Sequence, residues 1–360
     1  MIQVGIRYYD YQKDEATGAE WLTPAVPDTW NISLPSIIRA AMLVGRQSMF
    51  DVFQFGEWSK LELRWRSAIV RANTMERPIS RRVTRLVPTP AFRALDGSEK
   101  GAVSYLLGIA AAKIVAERQC GVRWLMHMDV YTKPDHPYAS PFYPVVPVPN
   151  ADGRPDLIGL DPTGKWAVLE AKGRSGNIPD ALKIKSKTQT QTISTINGDM
   201  PGWRLASLTS FVKAGMKIDI VDPIEPLPDA FPLTIAPDLF IHLAYRVVFD
   251  ILNLADAFVL RVRDQPFHVF QMKDIDLTIG LRSDIFDILS RPTRAGDDYH
   301  SKTSAIQKAV ADLPSEGVEG QMDELTRFSI GPDGTLVGLG RDWPPGGQWP
   351  TKGLPLAPFH

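Results

Sequence analysis

Pro155-Asp156-Leu157-Ile158-Gly159-Leu160-Asp161-Pro162-Thr163-Gly164-Lys165-Trp166-Ala167-Val168-Leu169-Glu170-Ala171-Lys172 decides how this chain is read. Two short apolar runs flank Asp161-Pro162-Thr163-Gly164, which has proline second and glycine fourth, as a β-turn prefers. The pattern predicts a β-hairpin. Trp166 to Leu169 shows no polar alternation, so it reads as a strand buried on both faces. Asp156 opens the first strand and Glu170 closes the second, and in an antiparallel pair those two ends are neighbours. Two carboxylates so placed can share one hard divalent cation. Lys172 stands two residues beyond Glu170 and projects to the same face. An ammonium there can orient a metal-bound water and help to deprotonate it. The alternative is a surface hairpin with both charges in solvent, and it fits poorly with the apolar Trp166–Leu169 run.

Working outward, Ser98 is expected to cap a helix over residues 98–119 that Gly121 ends. A strand over 122–131 follows, then a proline-rich loop over 134–155. Beyond the hairpin, residues 177–196 predict a helix capped by Asn177 or Asp180, although the Thr-rich 185–192 would also tolerate a strand. Residues 203–212 read as a further strand.

Pro155-Asp156, thirteen residues, then Glu170-Ala171-Lys172 resembles the signature of the PD-(D/E)XK, restriction-endonuclease-like nuclease superfamily. That fold runs helix, three-strand meander, helix, strand, and the order over residues 98–212 is the same. Pro-Asp alone carries no weight, since it occurs seven times in the chain. The acid-x-Lys spacing occurs once among 16 lysines, at Glu170, on the strand opposite Asp156. The resemblance implies Mg²⁺-dependent hydrolysis of nucleic-acid phosphodiesters, most often DNA, with Mn²⁺ as a substitute, in defence or repair. It implies Asp156, Glu170 and the Ala171 carbonyl as metal ligands and Lys172 as the residue that positions water. Some members add an acid from the first helix. Glu99 is the favoured candidate and Glu117 the other; the competing role of Glu99 is helix capping. Other branches place a glutamine on the following helix, and Gln189 falls on its apolar stripe with Leu182, Ile193 and Ile196. Lys183, Lys185 and Lys187 on that helix, with Arg154 and Arg174 beside the hairpin, are candidate phosphate contacts or simply solvated charges.

The flanks say less. Eight arginines lie between Arg64 and Arg93 with Glu76 as the only acid. Such a stretch, Arg81 and Arg82 included, is either a solvated face or a contact to an anionic polymer. Residues 2–8 alternate like a strand, 34–55 and 58–72 read as helices, 237–257 as a long apolar helix, 258–263 with 267–272 as a hairpin, and 331–360 as loop. The expected architecture is α/β: an N-terminal extension over 1–95, a restriction-endonuclease-like core of mixed sheet flanked by helices over 96–215, and an α+β extension over 216–360. The chain has 360 residues with 40 basic and 41 acidic side chains, net charge −1, which excludes a uniformly basic binder. One cysteine, Cys120, excludes an internal disulfide framework and fits a reducing compartment. No signal peptide and no long apolar run is read, so the expectation is a cytoplasmic protein without a membrane partner. Six histidines without ligand spacing argue against zinc; His127 reads as a hydrogen-bonded core residue. The rival function is a catalytically inactive nuclease-fold protein acting as a nucleic-acid-binding or assembly module. The extensions are open to a protein partner or a second copy of the chain.

Overall fold

The computed structural model describes residues 1–13, 17, 20–44, 57–128, 154–223, 225–254, 256–292, 299–321 and 326–343. In chain order they form β1 Ile2–Lys13, β2 Glu20–Pro24, β3 Asp28–Ile32, α1 Leu34–Leu43, α2 Glu57–Asn73, β4 Thr74–Pro78, β5 Thr84–Pro88, α3 Pro90–Ala94, α4 Gly97–Cys120, β6 Trp124–His127, β7 Leu157–Leu160 and β8 Trp166–Arg174. After these come α5 Asp180–Thr190, β9 Ile193–Ile196, β10 Trp203–Val212, β11 Gly215–Val221, β12 Phe231–Leu233, α6 Pro237–Leu254, β13 Phe258–Val262, β14 Gln265–Met272, β15 Leu277–Arg282, α7 Ser283–Ser290, α8 Tyr299–Val310, β16 Val318–Gln321, β17 Arg327–Ile330 and β18 Thr335–Leu339. The fold is mixed α/β.

A mixed ten-stranded sheet runs β4-β5-β1-β11-β10-β8-β7-β6, with β2 and β3 also paired to β1. Within it, β6, β7 and β8 form an antiparallel meander, and β10 joins β8 in parallel after the α5 crossover. The Asp161–Gly164 turn forms as expected. The Asp161 carboxylate accepts from the Thr163 and Lys165 amides at 2.8 Å, and Gly164 takes φ 89°, which favours glycine. The expected boundaries at 95/96 and 215/216 fall inside this one sheet, because β1 pairs in parallel with β11 and brings the chain start into it. A second, six-stranded sheet runs β13-β14-β15-β18-β17-β16. One apolar core extends from Ile2 to Trp343 across both sheets, beside smaller clusters.

Helix α4 lies on one face of β8. A Cβ on Gly173 would overlap the Ser104 carbonyl oxygen, and Gly108 packs on the backbone at Gly173, so both glycines permit close helix–sheet approach. Helix α5 covers the other face, with Ile178 and Leu182 packed on Ala206, Leu208 and Tyr9. Those two strand residues are the in-register neighbours of Glu170 and Lys172.

Several elements differ from expectation. Asp96, not Ser98, caps α4: its carboxylate accepts from the Ser98 and Glu99 amides, a stronger acceptor placed one residue before the first helical one. The helix expected over 177–196 stops at Thr190. The Thr188, Thr190 and Thr192 hydroxyls donate to the carbonyls of Ile184, Lys187 and Gln189, and Ile193–Ile196 continues as β9, paired to β12. Residues 335–339, expected as loop, are the inner strand β18 between β15 and β17. Most of the Pro-rich loop and the end of the strand expected over 122–131 (residues 129–153) lie outside the described residues, as do 45–56 and 344–360. No helix among the described residues is long and apolar enough to cross a membrane.

Candidate active site

The hairpin brings its acids together. The Asp156 amide donates to Glu170 Oε2 at 3.0 Å, and the Ala171 amide donates to Asp156 Oδ2 at 3.0 Å. Each carboxylate is thus held by the backbone of the other strand. An extended residue presents its N–H and C=O to the same edge, so the Ala171 carbonyl also faces the Asp156 side. Lys172 Nζ forms an ion pair with Asp156 Oδ2 at 3.5 Å and a closer one with Glu170 Oε1. Glu170 is fully buried (0 %), while Asp156 and Lys172 retain 19 % and 30 % exposure. The cluster therefore opens to solvent on its Asp156 and Lys172 side.

Electrostatics follow from this placement. Burial first, and Asp156 second, push the Glu170 carboxyl up to about 8, although Lys172 pulls it down. Burial disfavours the Lys172 ammonium, but Asp156 and Glu170 outweigh it and hold its pKa above the ordinary lysine value. Lys172 is a cation here, a hydrogen-bond donor rather than a base.

Gln189, in the last turn of α5, is tied to the segment that precedes Asp156. Its amide nitrogen donates to the Arg154 carbonyl at 3.4 Å, and its Oε1 is buried without a hydrogen-bond partner. Ile193 and Ile196, which would have shared its helical stripe, belong to a strand instead.

The remaining candidates sit elsewhere or do other work. Glu99 is corrected to a capping residue: it is exposed, and its carboxylate accepts from the Asp96 amide at 3.1 Å. It begins a helix that packs on the face of β8 opposite Glu170. Glu117, the other candidate acid of this helix, is buried. It takes a bidentate pair from Arg39 (2.9 and 2.7 Å) and one from Lys113 at 3.0 Å. Lys183 and Lys187 are corrected as phosphate contacts, because both are buried. Lys183 pairs with Asp180 and Asp219 (2.8 and 3.5 Å) and lies over the Tyr9 ring, and Lys187 lies over the Tyr11 ring. Lys185, Arg174, Arg81 and Arg82 are exposed and Arg154 is half-buried. His127 is half-buried with Nε2 at 3.4 Å from the Tyr105 hydroxyl. Cys120 is buried, and burial raises its thiol pKa, which leaves it an unreactive thiol. Sequence reading missed the Lys183–Tyr9 and Arg39–Glu117 pairs, since each joins elements far apart in the chain.

Among the described residues no group of three or more His, Cys, Asp and Glu side chains is placed to hold a metal ion. What the fold and the cluster define is a mixed α/β protein with two strand-end carboxylates and a lysine gathered on one face of its sheet. The chain matches no family model, no curated protein and no solved structure.

Proposed function

We propose that this chain is a metal-dependent nuclease of the PD-(D/E)XK, restriction-endonuclease-like type that hydrolyses DNA phosphodiesters in the cytoplasm. The observation that carries this reading is the mutual hold of Asp156 and Glu170 across the hairpin, with Lys172 paired to both. The order α4, β6-β7-β8, α5, β10 supports it at the level of topology.

The donor set fits Mg²⁺ or Mn²⁺. Two carboxylates and a backbone carbonyl are hard oxygen ligands, and Mg²⁺ typically keeps several waters beside one or two carboxylates. Burial first, and Asp156 second, raise the Glu170 pKa, so added positive charge there would favour its ionised form. Asp156, Glu170 and the Ala171 carbonyl would hold the ion. When bound, it supplies Lewis-acid stabilisation of phosphate charge and a more acidic water. Lys172, charged and partly exposed, donates to the attacking water or a phosphate oxygen and fixes its orientation. Gln189, tied through its nitrogen to the Arg154 carbonyl two residues before Asp156, would support the site with its unpartnered oxygen. The backbone bonds to both carboxylates hold them in place, so they need little reorganisation.

The test is cleavage of single-stranded, duplex and branched DNA, with RNA controls, by the full chain in Mg²⁺ or Mn²⁺. Cutting is expected, and EDTA should stop it. Lys172→Ala should lower the rate at least 10²-fold while DNA binding persists. Binding to DNA or RNA without cutting any form would sink the catalytic reading in favour of the inactive binding module.

A further inference from the structure

Positive charge is distributed unevenly over this fold. Residues 77–95, 171–179 and 203–217 contain no acidic side chain. The sheet brings parts of all three together at one end. Arg174 on β8 is in register with Ser210 on β10, which is in register with Lys217 on β11. In-register neighbours project to the same face, so Arg174 and Lys217 share the face that carries Glu170 and Lys172. Arg174 follows Lys172 by two residues on that face. Arg85 on β5 joins this end, with its side-chain carbons 3.4–3.7 Å from the Cβ position of Gly215, where β11 begins. The Arg81–Arg82 turn lies beside the chain start, since the Met1 amine donates to the Arg82 carbonyl at 3.3 Å.

These cations differ from the arginines that the fold neutralises. Arg39, Arg64, Arg66, Arg282 and Arg327 are all paired with acids. Among the described residues, Arg85, Arg174 and Lys217 have no acid within ion-pair distance. Arg85 and Arg174 are exposed and Lys217 is half-buried. The lysines of α5 offer no equivalent row, because Lys183 and Lys187 are buried against β1 and only Lys185 is exposed.

We propose that this sheet end is the nucleic-acid track, with one phosphate backbone crossing the strand ends over Arg174, Lys217 and Arg85 before it reaches Lys172. The proposal rests on the nuclease reading of the Asp156–Glu170–Lys172 site and adds the path its substrate takes. From β8 to β11 is two inter-strand steps, roughly 10 Å, or about three nucleotides of one strand. The contacts are to phosphates, so they hold DNA without reading its sequence.

The experiment measures binding of a labelled DNA duplex to the full chain in EDTA as a function of salt. A triple variant, Arg85→Ala with Arg174→Ala and Lys217→Ala, should flatten the log-affinity against log-salt slope by about 2 to 3 and weaken binding at least about tenfold at 0.1 M salt. Lys185→Ala, an exposed charge on α5, should change neither. Should the triple variant fail to fold, the exposed single change Arg174→Gln should still remove about 0.9 from the slope. If either variant keeps the wild-type slope while the wild type binds and cuts DNA, the track is overturned and the active site stands. If the wild type neither binds nor cuts any nucleic acid, the nuclease reading falls and the track falls with it.

Discussion

Glu117→Gln would remove one charge from the buried cluster that ties the two sheets together, and its effect can be worked from the structure in two ways. Glu117 on α4 pairs with Arg39 of α1 at 2.7 Å and with Lys113 at 3.0 Å. Both cations also face Asp333, in the turn between β17 and β18, at 3.9 and 3.6 Å. Burial raises the Glu117 pKa, but Arg39 and Lys113 outweigh it and hold the carboxyl at about 2, against 4.5 for an ordinary glutamate. A folded-state pKa below the unfolded value means stabilisation that is fully present above pH 4.5 and is lost as pH falls through 2. The drop from 4.5 to about 2 corresponds to roughly 3 kcal/mol. Breaking a buried ion pair by removing one partner typically costs about 3–5 kcal/mol, an independent figure of the same size. Glu117→Gln should therefore lower the unfolding free energy by about 3 kcal/mol at pH 7 and by less than about half of that at pH 3. Urea denaturation of the full chain at both pH values, followed by tryptophan fluorescence and circular dichroism, measures this. A penalty that does not change with pH, or one under about 1 kcal/mol at pH 7, would refute the coupling described.

Gly173→Ala should destabilise the chain by about 3 kcal/mol or more, seen as a lowered melting temperature, because both the new methyl and the Ser104 carbonyl belong to packed backbone that cannot yield. Activity should fall with it, since α4 would be pushed off the strand that carries Glu170; a melting temperature within a degree of wild type would contradict that packing. Glu170→Gln should do the reverse to stability in EDTA. Its carboxyl is pushed up to about 8, so the ionised form destabilises the folded state increasingly as pH rises from 4.5 through 8. The variant is then more stable than wild type by about 1–3 kcal/mol at pH 9 and close to equal at pH 5, while cleavage is lost. Lower stability of the variant at pH 9 would show that Glu170 supports the fold.

The hairpin was legible because its signals are local: turn chemistry at Asp161–Gly164 and unbroken apolar runs on either side. The pairing of Asp156 with Glu170 follows from that register alone. Two other features depend on distant partners and were not legible. A helical projection puts Lys183 and Lys187 on a flank, but only the tertiary fold lays β1 beside α5, where Tyr9 and Tyr11 receive their ammonium groups. Residues 331–360 read as loop from their glycines and prolines, yet Thr335–Leu339 is a buried strand because β15 and β17 pair with it on both sides. Glu99 looked like a ligand by its place on the first helix, and the nearer claim of the Asp96 amide decided its role.

Two buried glutamates of this fold behave oppositely, and the contrast bears on function. Glu117 and Asp333 face Arg39 and Lys113, two anions with two cations, and Glu117 is held at about 2. Glu170 and Asp156 face Lys172 alone, and Glu170 is pushed up to about 8. Burial opposes both carboxylates, so the difference lies in charge balance. The first cluster is complete within the chain. The second, with both carboxylates ionised, is one positive charge short, and a structural role would be served better by an uncharged residue of similar shape. A divalent cation would turn that shortage into a single positive excess, which the charge of one phosphodiester group would balance. Lys172, partly exposed between the acids, stands on the side from which such a substrate would arrive.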